Sequence, residues 1–112
     1  MRTTSEFWAS GLIRRGFAQG AFAAIAKRGA KEAGAIFVVV NRLDGTFDLY
    51  APAPQSFFDE EALGDRQFEH RLKAVPEAET TALLAREKNM DPDFWVIEIE
   101  DREGRGFVEV VE

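Results

Sequence analysis

The stretch Asp91-Pro92-Asp93-Phe94-Trp95-Val96-Ile97-Glu98-Ile99-Glu100-Asp101-Arg102-Glu103-Gly104-Arg105-Gly106-Phe107 decides the fold. Asp91-Pro92 ends any helix before it, because the residue ahead of a proline is pushed out of the helical region. Trp95, Ile97 and Ile99 then alternate with Val96, Glu98 and Glu100, which is the two-residue period of a strand. A turn predicted at residues 101–104 folds the rest back as a terminal hairpin, pairing Glu100 with Arg105. In that register Trp95, Ile97, Ile99, Gly106, Val108 and Val110 face the core, whereas Phe94, Val96, Phe107 and Val111 face away from it.

Upstream, Pro76 suits the first position of a second helix. Glu77 and Glu79 fall in its first turn and Arg86 and Lys88 in its last, each with the sign the helix dipole favours. Phe68-Glu69-His70-Arg71-Leu72 alternates as a short edge strand. Residues 51–66 make a long connection, starting at Ala51-Pro52-Ala53-Pro54 and carrying Phe57 and Phe58 in a short helix opened by Ser56. Ala35-Ile36-Phe37-Val38-Val39-Val40 is apolar on both faces and reads as a central strand. Asp44-Gly45 predicts a two-residue hairpin turn, setting Arg42 opposite Phe47, Val40 opposite Leu49 and Val39 opposite Tyr50.

Residues 21–28 fit helix and strand alike, and the turn over 29–34 followed by a buried strand favours strand. Thr3 with Glu6 has the form of a capping box, and Trp8, Ala9, Leu12, Ile13 and Phe17 recur at helical spacing up to Gly20. The elements predict one domain over residues 1–112 of the α+β class, a single largely antiparallel β-sheet with two helices packed mainly on one face.

Composition narrows the functional classes. The 112 residues include no cysteine, which removes disulfides, thiol catalysis and thiolate metal sites and suits a reducing compartment. The N-terminus lacks a secretory layout, and the apolar run at 35–40 is too short to span a bilayer. A cytoplasmic protein without membrane contact is expected. Residues 1–42 hold seven bases against two acids, and residues 43–112 hold seven against 18, a polarity that first of all solvates the fold and otherwise can steer an anionic partner or drive head-to-tail self-association.

Several blocks occur together: Ser5-Glu6-Phe7-Trp8 with Arg14-Arg15, Gly20-Ala21-Phe22-Ala23, Ala33-Gly34-Ala35-Ile36, Asn41-Arg42-Leu43-Asp44-Gly45, and Asp91-Pro92-Asp93 with Trp95 and Glu98. Over nearly its whole length the chain resembles the bacterial domain-of-unknown-function family DUF1491. The resemblance supports a strand at 21–28 and carries over no activity, ligand or catalytic residue.

No motif names a chemistry. The acids Asp91, Asp93, Glu98, Glu100, Asp101, Glu103 and Glu109 lack the spacing of a calcium loop, and neither a metal nor a cofactor is expected. His70 is the single histidine and reads as a partly buried one. The bases Arg14, Arg15, Lys27, Arg28, Lys31 and Arg42 are split between two ends of the N-terminal strands, which makes nucleic-acid binding the weaker reading. The binding candidates are Arg15 and Arg42 as cations and Phe57, Phe58, Phe94 and Phe107 as apolar contacts. A non-enzymatic interaction or accessory domain is favoured, with a protein partner or a homodimer. The competing readings are a small-ligand protein or enzyme with a carboxylate and arginine site, and weak nucleic-acid binding.

Overall fold

The computed structural model describes residues 3–54 and 66–111. Along the chain lie helix α1 (Ser5–Ala18), strands β1 (Phe22–Lys27), β2 (Ile36–Asn41), β3 (Phe47–Pro52) and β4 (Gln67–Val75), helix α2 (Glu77–Met90), and strands β5 (Trp95–Glu100) and β6 (Glu109–Val110). Phe57 and Phe58, with the short helix expected around them, lie outside the described residues.

Local signals set the helix ends to within a residue. Thr4, not Thr3, caps α1, its hydroxyl oxygen accepting from the Phe7 amide at 3.1 Å. The displaced Glu6 instead pairs with Arg28 at 2.6 Å. The amides of Ser5 and Glu6 donate to the carbonyls of Glu32 and Lys31, so the first turn of α1 is satisfied from within the chain. At the other end, Gly20 and Ala21 donate back to Phe17 and Gly16, turning α1 tightly into β1. Glu77 and Glu79 open α2 and Asp91 ends it, as the sequence predicts, but Pro76 is the extended cap rather than the first helical residue.

The sheet differs from the expectation. Its order is β1-β5-β2-β3-β4-β6, and it is mixed: β5 runs parallel to β2, and β6 parallel to β4. No terminal hairpin forms, because β5 inserts between β1 and β2, antiparallel to the first. Gly29 and Gly34 make this possible. A Cβ on Gly29 would collide with the Asp93 carbonyl, and one on Gly34 would lie 2.6 Å from it. The Ala30 amide donates to that carbonyl at 2.9 Å, and Trp95 donates to Ala35 and Ala30 carbonyls, each at 2.7 Å. The segment read as a plain turn is therefore the clamp that admits β5.

The helices occupy opposite faces rather than one. Trp8, Ala9 and Leu12 of α1 pack with Val38, Val40, Tyr50, Trp95, Ile97 and Ile99. Leu83 of α2 packs with Phe37, Val39, Leu49, Phe94 and Val96 on the reverse. Strands that are apolar on both sides need cover on both sides. The turn at 101–104 does form, with the Gly104 amide donating to the Asp101 carbonyl at 3.0 Å. Beyond it the chain crosses the α1 face as a strap, packing Phe107 and Val108 on that core and placing β6 beside β4.

Candidate functional site

The β2–β3 connection is longer than a two-residue turn. Leu43 and Gly45 take left-handed backbone, while Asn41 Oδ1 and Asp44 Oδ1 accept from the amides of Leu43 and Thr46 at 2.8 and 2.9 Å. These side-chain turns stabilise a loop in which Asn41 pairs with Phe47 and Val40 with Asp48, one residue off the expected register. A shift of one residue moves every β3 side chain to the other face relative to β2. Asp48 thereby joins Val40 and Arg42, and its carboxylate is fully buried.

Four donors converge on that carboxylate. Arg42 gives Nε at 2.7 Å and Nη2 at 2.9 Å, His70 gives Nε2 at 2.8 Å, and the Ala74 amide gives a fourth bond at 2.8 Å. Burial pushes the Asp48 carboxyl up, but Arg42, the Ala74 amide and His70 outweigh it and hold the group below its ordinary value. The Tyr50 ring stacks on His70 at 4.3 Å, and its hydroxyl donates to the Gly104 carbonyl in the strap at 2.9 Å. Tyr50 is held protonated by burial first and by the Asp48 charge next. Among the described residues no buried side-chain polar atom lacks a partner. This cluster has the chemistry of a latch, joining the β2–β3 loop, the irregular end of β4 and the strap, rather than of a reaction centre.

On the α2 face, a depression of about 200 Å³ is lined by Ala35, Phe37, Pro52, Arg71, Glu87, Asp91 and Phe94. It gathers one arginine and two carboxylates, although Arg71 already bonds Glu69 at 3.2 Å. Among the described residues no group of His, Asp and Glu is arranged to hold a metal.

The third candidate is the open side of β1, which has no strand partner there among the described residues. Beside it Phe17 and Phe22 are each 52% exposed, with ring centroids 5.6 Å apart. Glu6, Ser10, Ile13 and Phe17 share one stripe of α1 by helical spacing; its ends meet β1, Glu6 at Arg28 and Phe17 at Phe22, while Ile13 packs partly on the core.

The residues singled out from sequence are scattered. Arg42 is in the latch. Arg15 lies 5.5 Å over the Trp8 ring and reaches the Phe107 carbonyl at 3.5 Å, so both arginines touch the strap but at different residues. Phe94 is buried on the α2 face, while Phe107 packs on the α1 face beneath Arg105, so the two do not share a surface. The cover that Phe94 and Val96 required is supplied by α2. Asp48 and the β1 edge escaped sequence reading, although Asn41 and Asp44 flanking the loop, and the lack of charge in residues 22–26, were their visible signals.

No described helix is long and apolar enough to cross a membrane. No curated protein matches the chain. Two solved relatives cover all of it: protein Atu0922 from A. tumefaciens, at 50% identity, 97% of its own length and a TM-score of 0.87, and a DUF1491 family protein from Caulobacter crescentus CB15, at 35% identity, 100% of its length and a TM-score of 0.79. Residues 3–109 match the family described as protein of unknown function (DUF1491). Fold, sequence blocks and relatives agree, and the chain belongs to the DUF1491 family.

Proposed function

We propose that the chain is a non-enzymatic cytoplasmic interaction domain that docks another polypeptide strand along the open edge of β1. The observation that carries this reading is the contrast between β1, the open edge of the sheet, and the far side, where β6 covers only the start of β4. β4 carries Glu69, Arg71 and Lys73, two register irregularities against β3 and left-handed backbone at Ala74, devices that discourage further pairing. β1 reads Phe-Ala-Ala-Ile-Ala-Lys, with no proline and no charge before Lys27, and its one irregularity comes only after Ile25. An apolar, regular edge flanked by exposed phenylalanines favours strand addition, in which main-chain bonds supply affinity.

Wild type and the edge-charged variants Phe22→Lys and Ala24→Lys, used as baits in a lysate of the protein's own cells, test the reading. A protein retained by wild type, lost with both variants, and protecting the amides of residues 22–26 from hydrogen exchange supports it. Equal retention by all three baits overturns it. A second reading places a small zwitterion in the depression beside Arg71, Glu87 and Asp91, on the Phe37 and Phe94 rings. Titration with L-leucine that shifts no amide resonance around that depression removes it.

A further inference from the structure

We infer that the strand docked on β1 is β1 of a second copy, in an antiparallel pair about a two-fold axis beside Ala24; this rests on the reading of β1 as the docking edge. In an antiparallel ladder the free amides and carbonyls belong to alternate residues, so residues of the same parity must face each other. The register centred on Ala24 satisfies that rule and uses the uncharged part of the strand. It sets Ala24 against its own mate, Ala23 against Ile25, and Phe22 against Ala26. Small side chains at the centre leave the usual spacing of about 4.8 Å between strands unobstructed.

Charge selects the occupant. At one end of β1 stand Lys27, its ammonium held by the Pro92 and Phe94 carbonyls, and Arg28 and Lys31, which share the single carboxylate of Glu6, so the end keeps a net positive charge. At the other, Glu100 pairs with Phe22 on β5, and Glu98 follows opposite the central Ala24. An acidic strand would meet Glu98 and Glu100, and a basic one would meet Lys27 and Arg28. A strand basic at its end and bordered by acid at its start fits when it runs antiparallel, and β1 with its β5 neighbour is such a strand. The α1 stripe adds no opposing charge: between Glu6 and Phe17 it carries Ser10 and Ile13, both half-buried and uncharged, the second packed partly on the core. Five paired residues and two phenylalanines fall short of the roughly 1,200 Å² of a stable interface, so the pair dissociates on dilution.

The chain has no cysteine, so a single introduced thiol reports the geometry. Residues directly opposite in an antiparallel pair lie about 4.5 to 5.5 Å apart at Cα, within disulfide reach. Ala24→Cys should cross-link into a covalent dimer under mild oxidation about ten-fold or more faster than Ala82→Cys on the exposed side of α2, because thiols held opposite each other react faster than thiols that must collide. Light scattering on wild type should show mass rising toward twice the monomer with concentration, and Phe22→Lys should stay monomeric. Wild type that remains monomeric at all concentrations, with both thiols cross-linking equally slowly, overturns the second-copy inference. The docking reading then stands or falls on whether another protein protects residues 22–26. A dimer that cross-links through Ala82→Cys but not Ala24→Cys likewise overturns the second-copy inference and leaves the docking reading to that same protection test.

Discussion

Gly104 and Gly45 share left-handed backbone, with φ of +76° and +93°, but not an environment. A Cβ at Gly45 meets nothing within 4 Å, whereas one at Gly104 falls 2.6 Å from Arg42 Cζ. Gly45→Ala should therefore cost only the conformation, about 1 to 2 kcal/mol. Gly104→Ala must also move the guanidinium off Asp48, which adds about 2 kcal/mol for charged hydrogen bonds. Equal urea midpoints for the two variants would mean that Arg42 can yield without leaving Asp48. Asp48→Asn probes the same hub from its centre, setting an amide donor against donors from Arg42 or His70, with an expected loss of about 3 kcal/mol. A change below about 1 kcal/mol would refute the latch, since an ordinary net hydrogen bond is of that size. None of this was legible from the residues alone. Nothing local marks Asp48 for burial, and only the one-residue register shift brings it beneath Arg42.

Elements governed by neighbours in sequence were read well, and those governed by distant pairing were not. The ends of α1 and α2 were read to within a residue from Thr3, Gly20, Pro76 and Asp91-Pro92, whose effects act within one turn, the true caps being Thr4 and Pro76. Thr4→Ala should cost about 1 kcal/mol in thermal unfolding, the usual worth of a side-chain cap. Unchanged stability there would show that the Lys31 and Glu32 carbonyls suffice to hold the first turn. The place of β5 depends on contacts some sixty residues away in sequence, such as Trp95 with Ala30. Its alternation predicts a strand equally well at the edge or at the centre. Gly29 and Gly34 hold the answer, but a glycine that leaves room for a carbonyl looks in sequence like one that makes a turn. Gly29→Ala tests the distinction. Collision with the Asp93 backbone should displace β5 and leave little folded protein, while a turn glycine in ordinary backbone would accept alanine with a gain of about 0.4 to 1 kcal/mol. Circular dichroism and the dispersion of amide resonances separate the two outcomes.

At the scale of the whole molecule, carboxylates of opposite character shape the response to pH. Glu98 is pushed above its ordinary 4.5 by burial, then by Glu100 and Glu77. Its charge weakens the fold at neutral pH, and that penalty is relieved as pH falls through the raised value toward 4.5. Asp48 and Asp101 lie below their ordinary 3.8, the first because Arg42, the Ala74 amide and His70 outweigh its burial, the second chiefly through Arg105. Their stabilisation is present above 3.8 and is lost as pH falls through the depressed values. The net charge of −6 at pH 7 also shrinks on acidification, so self-repulsion falls in the same range in which Glu98 is relieved. Stability should thus rise from neutral toward mildly acidic pH and collapse only below 3.8. Glu98→Gln removes the first term alone. It should unfold at a higher temperature than wild type at pH 7, with the gain shrinking as pH approaches 4.5 and gone below it. Thermal unfolding at steps from about pH 3 to pH 8 reads both curves. A Glu98→Gln advantage that stays constant across that range would show that the side chain stabilises by packing, and that the crowded acids beside β1 do not set the molecule's pH optimum.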